Sequence, residues 1–285
     1  MGNFDLCVIG GGPAGYAAAM RAIDLGKRVA LIERDRIGGT GIYNGALASK
    51  TLWELSHRVA TANEVLRGRD REPFRLSWEE ITKTLNEAQF ERKYLYTCHM
   101  QMMAARPGEA GRMFRHIRGN AVFTDTHTLT VTRDEVATPV SADHFIIATG
   151  SRPRNLPGIH VDERRIFSSD GIFNIQDLPK SIVIIGAGVV GCEFATIFSN
   201  FGSTKVHLID RASRILPFED EDISELVARN LERKGVVIHH QARLERIAAE
   251  PDAVRYLLRY DHGGTEEVAV EKALLSVGRV ANVDG

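Results

Sequence analysis

The chain has 285 residues, 44% of them hydrophobic and 26% charged, which is the composition of a folded protein of about two domains. Its 36 basic and 37 acidic residues leave a net charge of −1 without a basic block, so nucleic-acid binding through phosphate neutralisation is not expected. No apolar run approaches the roughly 18 residues that span a bilayer, and no basic segment precedes the first apolar strand. These features predict a cytoplasmic protein without a membrane or nucleic-acid partner.

Two copies of one pattern organise the sequence. Residues 6–15 read LCVIGGGPAG and residues 182–191 read IVIIGAGVVG, and each copy continues to a second apolar strand that ends in an acid. A strand, a G-x-G-x-x-G turn, a helix and a second strand with its acid about 20 residues on form the βαβ fingerprint of dinucleotide binding. Because the whole pattern occurs twice, a glycine turn that serves packing alone is a poor explanation. The sequence therefore predicts an α/β protein with two Rossmann-like dinucleotide-binding domains, the second inserted after the first.

The residue types of each copy have a physical reason. The first glycine makes a tight turn, the second lets the backbone approach a pyrophosphate, and the third lets the helix pack closely. The helix N-terminus offers unpaired N–H groups to phosphates, and the acid accepts hydrogen bonds from ribose hydroxyls. The predicted contacts of the first copy are Gly10, Gly12, Pro13, Ala14, Gly15, Glu33 and Arg34. Those of the second copy are Gly186, Gly188, Val189, Val190, Gly191, Asp210 and Arg211.

Periodicity predicts further elements around the two copies. Helices are expected over 45–66 and from a capping box at Ser77 to the break at Pro107-Gly108, and another begins within 219–222. Alternating strands, which give each domain a small antiparallel element, are expected near 112–118, 121–124, 128–132, 136–147, 236–240, 243–249, 254–260 and 266–276. A hairpin turn is expected at residues 262–264.

The three cysteines, Cys7, Cys98 and Cys192, lie about ninety residues apart and have no metal-ligand spacing. We interpret Cys7 and Cys192 as packing residues, because one lies in an apolar strand and the other begins a glycine-rich helix. No metal site is predicted.

With both fingerprints in place, the sequence resembles the flavin disulfide reductase family, also called pyridine nucleotide-disulfide oxidoreductases, to which dihydrolipoyl dehydrogenase belongs. The resemblance also covers residues 148–150, 178–181 and 276–279. It implies FAD at the first copy, NAD or NADP at the second, and a homodimer for the full-length protein. The domains would be 1–152 for FAD, 153–277 for the pyridine nucleotide, and 278–285 as the start of a return to the first. Further cofactor contacts implied by the resemblance are Gly39, Thr40, Lys50, Ala148, Thr149, Gly150, Glu193, Gly278 and Arg279.

The segment at 38–50 departs from the family. The flanking residues match, but Gly41 and Ala46 stand where the family has its two redox-active cysteines. Without two thiols beside the flavin, electrons cannot pass through a dithiol. Disulfide reduction by this segment is therefore not expected. If the segment kept the family's shape, cysteines restored at these two positions would form a disulfide.

The second departure is length. The resemblance stops at residue 285, whereas the family continues with a flavin-contacting segment and an interface domain that carries a His-Glu acid/base pair. A piece of a longer protein is expected rather than a natural remnant, and no catalytic histidine is assigned.

Two further residues carry the chemistry that the resemblance implies. Lys50 and Glu193 match family positions that meet beside the flavin N5, where a Lys–Glu pair would orient the ring and stabilise developing charge. For the nucleotide, the Asp210 carboxylate would repel a 2′-phosphate, and NAD is favoured over NADP. Arg211 and Arg214 argue for NADP, since relatives that use NADP place an arginine at position 211 and another at Pro217.

Three interpretations remain open at this point. The first is an FAD-dependent NAD(P)H oxidoreductase that passes hydride from NADH to FAD and on to a small non-disulfide acceptor. The second is a flavin- and nucleotide-binding module for redox sensing or interaction, with little turnover. The third is a dihydrolipoyl dehydrogenase homologue that is inactive on lipoamide.

Overall fold

The computed structural model describes residues 4–105 and 113–284. Up to Pro153 the elements are, in chain order, β1 (Phe4–Ile9), α1 (Pro13–Asp24), β2 (Val29–Glu33), α2 (Gly39–Tyr43), α3 (Ala46–Leu66), α4 (Trp78–Ala104), β3 (Phe114–Arg118), β4 (Asn120–Phe123), β5 (Thr128–Arg133), β6 (Val136–Ile147) and β7 (Ser151–Pro153). The remainder contains β8 (Ile166–Ser168), a 3-10 helix (Gly171–Asn174), β9 (Ser181–Ile185), α5 (Val189–Phe201), β10 (Lys205–Ile209), α6 (Glu221–Arg233), β11 (Val237–His239), β12 (Ala242–Ala249), β13 (Val254–Tyr260), β14 (Thr265–Val270), β15 (Lys272–Leu275) and β16 (Arg279–Ala281). In the described residues no helix is both long and apolar enough to cross a membrane.

The chain forms two compact units. Unit 1 contains Met1–Ala48, Glu87–Arg152 and Ala281–Gly285, and unit 2 contains Ser49–Asn86 and Pro153–Val280. Residues 49–86, expected in the first domain, lie in unit 2. The domain bounds 1–152, 153–277 and 278–285 stay a prediction.

Unit 1 is built on a six-stranded sheet with the order β3-β2-β1-β6-β5-β4. Strand β1 lies between β2 and β6 and is parallel to both. The long strand β6 belongs to two patterns, because its second half pairs with β1 while its first half pairs antiparallel with β5. Residues 29–32 of β2 are all buried, as expected of a parallel strand covered on both faces.

Unit 2 contains a five-stranded parallel sheet with the order β11-β10-β9-β15-β8 and a separate antiparallel sheet, β12-β13-β14. Alternate residues of β9 enter two cores. Ile182 and Ile184 pack with α5, α6 and Leu52 of α3, whereas Val183 and Ile185 pack with apolar residues of β12 and β13. The predicted fold class, two Rossmann-like domains each with a small antiparallel element, is confirmed.

Most predicted elements agree with the structure within a few residues, and the capping box is present. Ser77 N donates to Glu80 Oε2 at 2.8 Å and Glu80 N donates to Ser77 Oγ at 3.2 Å. The hairpin turn at 262–264 joins β13 to β14, with Gly263 N donating to Tyr260 O at 3.0 Å. Pro107 and Gly108, predicted to end the second helix, lie outside the described residues.

The single strand predicted over 266–276 is wrong. The segment forms β14 in the antiparallel sheet and β15 in the parallel sheet, with Glu271 between them. Glu271 N donates to Ser181 Oγ at 3.0 Å, and its carboxylate accepts from Lys180 N at 2.8 Å. These hydrogen bonds hold the chain where it passes from one sheet to the other. Helix α2, strand β8 and the 3-10 helix were not predicted.

Candidate dinucleotide-binding sites

The glycine turn of unit 1 joins β1 to α1. Gly10 has φ +104°, and a Cβ there would come closer than 3.0 Å to the Ala148 carbonyl. A Cβ at Gly15 would overlap the Gly10 carbonyl oxygen, so the helix passes directly over the turn. Gly12, the N-cap of α1, has an extended conformation with φ −70°, and a Cβ there would meet no atom within 4 Å. The space beside Gly12 is therefore open.

Unit 2 repeats this turn between β9 and α5. Gly186 has φ +99°, and a Cβ there would lie 2.7 Å from the Ser276 carbonyl oxygen. Gly191 is packed against Gly186 O, and Gly188, the N-cap of α5, again faces open space. This is the turn geometry predicted for these glycines, whereas their contacts with a cofactor stay predictions.

The carboxylate at the end of the second strand accepts a hydrogen bond from the backbone of each turn. Glu33 Oε2 accepts from Gly11 N at 2.7 Å, and its Oε1 accepts from Asp35 N at 2.7 Å. Asp210 Oδ2 accepts from Ala187 N at 2.7 Å, and its Oδ1 accepts from Ala212 N at 2.8 Å. The two carboxylates thus bind the same two backbone positions in both copies, which sequence reasoning did not anticipate. Each oxygen keeps a second lone pair for a ribose hydroxyl.

Unit 1 contains a cleft of about 170 Å³ at the turn and the acid. Among the predicted site residues it is lined by Gly10, Glu33, Arg34 and Thr149. It is also lined by residues of β4 and by residues 282–284, which sequence analysis did not assign to a site. Asn282 is held there, because its N donates to Gly150 O at 3.0 Å and its Nδ2 donates to Thr149 O at 3.1 Å.

Helix α2, which contains Gly41, one of the two positions that the resemblance aligns with the family's cysteines, lies against α1 in unit 1. Helix α2 begins at Gly39, after Gly38 with φ +98°, and Thr40 is exposed. A Cβ at Gly41 would come closer than 3.0 Å to Cγ and Cδ of Pro13, the first residue of α1. Glycine at position 41 therefore permits a close approach of α2 to α1 that a larger residue would prevent.

Unit 2 contains a cleft of about 1020 Å³ at the second turn. This volume is at the upper end of the range for small-molecule and cofactor sites. The predicted site residues that line it are Gly186, Gly188, Val189, Val190, Asp210, Arg211, Gly278 and Arg279. Arg214 does not belong to this lining, because its Nη2 donates to the carbonyls of Pro217 at 3.4 Å and Glu219 at 3.3 Å. Arg214 therefore stabilises the loop after β10.

Arg279 is fixed at the edge of this cleft. Its Nη1 donates to Asp170 Oδ1 at 2.6 Å, and both side chains are about three-quarters buried. Asp170 lies between β8 and the 3-10 helix, two elements that the sequence pattern did not reveal. The pairing residue of Arg279 was missed for that reason.

Lys50 and Glu193 come together within unit 2. Lys50 Nζ donates to Glu193 Oε1 at 2.6 Å, and Ser49 Oγ donates to the same oxygen at 3.1 Å. Ser49 and Lys50 are the fourth and fifth residues of α3, and Glu193 is the fifth residue of α5. The contact between the two predicted catalytic residues is present, and their catalytic role stays a prediction.

The cysteines are placed for packing rather than for redox chemistry. Cys7 and Cys192 are buried, and burial raises the pKa of each thiol to about 12. Cys98 is half-buried on α4, and the three cysteines form no disulfide. Within the described residues no group of three His, Cys, Asp or Glu side chains is arranged to hold a metal ion.

Both turns fit a dinucleotide. Each has open space beside its second glycine and a helix N-terminus whose first N–H groups have no partner within the helix. In each, the acid stands at the carboxyl end of a parallel strand, where ligands of such sheets bind.

Known proteins are similar to this chain in sequence and fold. The family described as pyridine nucleotide-disulphide oxidoreductase matches residues 4–285. Dihydrolipoyl dehydrogenase from Bacillus subtilis is 33% identical over 289 residues, which cover 99% of this chain and 60% of the relative. A soluble pyridine nucleotide transhydrogenase from Chromohalobacter salexigens is 33% identical over 285 residues, covering 99% of this chain and 58% of the relative.

A solved structure agrees with these relatives. The HOCl-induced flavoprotein disulfide reductase RclA from Escherichia coli, in a Cu(II) complex, superimposes with a TM-score of 0.81 and 29% identity. The match covers 99% of this chain and 58% of that protein, so the chain spans about three-fifths of the length of its relatives. The chain therefore belongs to the pyridine nucleotide-disulphide oxidoreductase family, whose members are oxidoreductases that use FAD and NAD(P)H.

Proposed function

We propose that the protein is an FAD-dependent NADH oxidoreductase whose electrons pass to a small acceptor that is not a disulfide. The observation that carries this proposal is the pair of matched glycine turns together with Gly41 and Ala46 at the dithiol positions. Two dinucleotide sites suffice for hydride transfer, since that reaction needs only a flavin and a nicotinamide held face to face. Disulfide reduction needs in addition the thiol pair, which this chain lacks.

The residues have separate roles in this proposal. In unit 1, the turn at Gly10–Gly15 holds the FAD pyrophosphate, and Glu33 accepts hydrogen bonds from the adenosine ribose. In unit 2, the second turn and Asp210 hold NADH in the same way. FAD held by the first turn would supply the two-electron chemistry: it would take a hydride from NADH and pass two electrons to the acceptor, with the proton going to the acceptor or to solvent.

By resemblance to the family, the Lys50–Glu193 pair would orient the reacting rings and balance charge. The Glu193 carboxylate is fixed by two donors. By resemblance to the family, the Lys50 ammonium would offer positive charge to a reduced flavin. This role follows the family position of both residues and is supported by their 2.6 Å contact.

The proposal is tested by an anaerobic titration of the FAD-loaded protein with NADH, counting electrons per flavin. We expect bleaching to be complete after two electrons, with no absorption band from a thiolate beside oxidised flavin. Uptake of four electrons would reveal a second redox centre and contradict the proposal. Bound FAD that stays oxidised in excess NADH would instead support the alternative function, a binding or redox-sensing module with little turnover.

An acceptor screen tests the second half of the proposal. Quinones and ferricyanide take electrons directly from reduced flavin and should sustain NADH oxidation. Lipoamide and glutathione disulfide should not, and turnover with either would contradict the proposal. A homodimeric assembly of the full-length protein stays an expectation, which light scattering would check.

A further inference from the structure

The loop between β10 and α6, residues 211–220, is held in an unfavourable backbone conformation. Leu216 has φ +48°, in the left-handed region that residues other than glycine, Asn and Asp rarely adopt. Its N–H donates to Ala187 O at 2.8 Å, and its carbonyl accepts from the buried Ser224 Oγ at 3.1 Å. The neighbouring Ile215 is fully buried in the core of unit 2. The surrounding structure therefore enforces this conformation, a pattern typical of functional sites.

The result of this conformation is an exposed aromatic ring. Phe218 is 98% exposed, more than any other large hydrophobic side chain in the described part of the chain. Pro217 stiffens the chain before it, and Arg214 donates to the carbonyls on both sides of Phe218. Several independent contacts thus fix the backbone of this loop so that the Phe218 ring stays in solvent, although burial of an apolar ring would be favourable.

Phe218 stands at the nucleotide cleft of unit 2. It lines the cleft together with Asp210 and Arg211, the two residues that follow β10. An acid at the end of this strand binds the adenosine ribose, so the attached adenine must lie at the same edge of the sheet. Adenine has two flat faces that stack well on aromatic side chains.

The first copy offers a parallel. In the cleft of unit 1, Phe123 lines the space beside Glu33 and is 43% exposed. Its ring is held edge-on by Phe145, with 5.0 Å between ring centroids and an interplanar angle of 70°. Each cleft thus contains the acidic residue predicted to bind the ribose and a partly or fully exposed phenylalanine.

Building on the proposed function, we infer that Phe218 is a specificity residue that stacks on the adenine of the pyridine nucleotide bound in unit 2. Stacking would bury the ring that the free protein exposes. The residue selects dinucleotides with an adenosine half and takes no part in hydride transfer.

The test compares ligands with and without adenine. Calorimetry would give the Kd of NADH, ADP-ribose and reduced nicotinamide mononucleotide for the wild-type protein and for Phe218→Ala. We expect Phe218→Ala to raise the Kd of NADH and ADP-ribose on the order of tenfold, the effect of losing one base–aromatic stack, and to leave the mononucleotide unchanged. Phe218→Trp should retain the affinity, and its added fluorescence should be quenched by NADH.

The control variant is Ile223→Ala, because Ile223 is 47% exposed on α6 and does not line the cleft. It should bind all three ligands as the wild type does. If the wild type binds ADP-ribose and the Kd for Phe218→Ala is within twofold of the wild-type value, the inference is overturned and the proposed function stands. A wild type that binds neither NADH nor ADP-ribose would contradict the proposed function and the inference with it.

Discussion

The Lys50 ammonium and the Glu193 carboxylate, 143 positions apart in the sequence, are joined by a hydrogen-bonded ion pair of 2.6 Å. The two side chains differ in exposure, with 65% of the Lys50 side chain and 17% of the Glu193 side chain open to solvent. Glu193 is therefore the fixed partner, and the lysine tip can meet a ligand while it keeps its counter-ion.

Glu193→Gln removes the charge of the fixed partner and keeps its size. We expect the rate of flavin reduction by NADH to fall on the order of tenfold to a hundredfold, the effect of losing one preorganised charge, while the Kd of NADH stays unchanged. Stopped-flow absorbance of the FAD-loaded protein would measure both quantities. Glu54→Gln, on the exposed face of α3, is the matched control, and a rate within twofold of wild type for Glu193→Gln would show a merely structural ion pair.

Gly12→Val and Gly188→Val form a matched pair of changes in the two turns. Neither position has a positive φ and neither Cβ would meet a protein atom, so both variants should fold. The added side chain fills the space for the pyrophosphate. Gly12→Val should lose the yellow FAD and still bind NADH, and Gly188→Val should show the reverse.

Gly10→Val serves as a negative control for this pair. Its backbone has φ +104° and its Cβ would overlap the Ala148 carbonyl, so the protein should fail to fold. Retention of FAD by a folded Gly12→Val variant would mean that the pyrophosphate lies elsewhere.

NADH should be a better donor than NADPH, with at least a tenfold advantage in kcat/KM. The Asp210 carboxylate faces the cleft, and Arg214, one of two arginines that could bind a 2′-phosphate, is engaged by loop carbonyls and by Glu221. Arg211 alone of these two lines the cleft. Arg211→Gln should therefore lower whatever activity NADPH supports and leave NADH activity unchanged, whereas a wild-type preference for NADPH would show that Arg211 outweighs the acid.

Gly41→Cys and Ala46→Cys should differ in stability, although both restore a family cysteine. A side chain at position 41 must displace α2 from the rigid Pro13 ring, which we expect to cost about 1–3 kcal/mol as overpacking does. Ala46 is exposed at the start of α3, so Ala46→Cys should cost less than about 0.5 kcal/mol. Chemical denaturation would measure both. A stable Gly41→Cys protein whose double variant forms a disulfide in air would show that α2 retains the family's shape.

Low pH should destabilise unit 2, because two buried histidines become protonated. His207 Nδ1 and His239 Nε2 share a hydrogen bond of 3.1 Å, and His239 Nδ1 continues it to the Tyr260 hydroxyl at 2.7 Å. The pKa of His207 is lowered to about 4, mainly by burial. The charges of His239 and Lys205 contribute less in the same direction, and the attraction of Glu266 opposes the shift. Burial also lowers the pKa of His239. The attraction of Glu266 opposes this shift, and the repulsion of His240 adds to it.

Because the folded-state pKa lies below the unfolded value of about 6.5, the folded protein binds fewer protons. The contribution of His207 to the free energy of unfolding is therefore fully present above about pH 6.5. It falls by roughly 2–3 kcal/mol as the pH drops toward 4. Urea denaturation between pH 4 and 7 would measure this slope. His207→Gln should flatten the slope, whereas His57→Gln, on the exposed side of α3, should not. An unchanged slope in His207→Gln would refute the assignment.

The sequence predicted the parts of the fold that local spacing determines. Each glycine turn and its acid lie within about thirty residues, and their roles follow from backbone geometry that only glycine permits. The change of sheet at Glu271 could not be predicted, because the apolar residues on either side are separated only by Glu271 and Lys272 and the turn is held by Ser181, 90 residues away. The partner of Arg279 escaped for the same reason, since Asp170 is 109 positions away in a short element with no periodic signal.

The glycine and alanine at the positions that the resemblance aligns with the family's cysteines were visible in the sequence, but the packing around Gly41 was not. Only the atoms around Gly41 show that α2 approaches Pro13 closely. Likewise the sequence showed Arg211 and Arg214 as equivalent charges, and the backbone carbonyls that engage Arg214 separate their roles.

The double hydrogen bond of Asp210 to Ala187 N and Ala212 N limits how cofactor preference can be redesigned. Replacing this acid, the usual first step in converting an NAD enzyme to NADP, would also release two backbone amides that shape the phosphate turn. A library that retains Asp210 and varies Arg211 and its cleft neighbours would change the charge presented to the 2′ position without loosening the turn. Directed evolution of this scaffold would therefore find its tolerated routes in the loop rather than at the strand end.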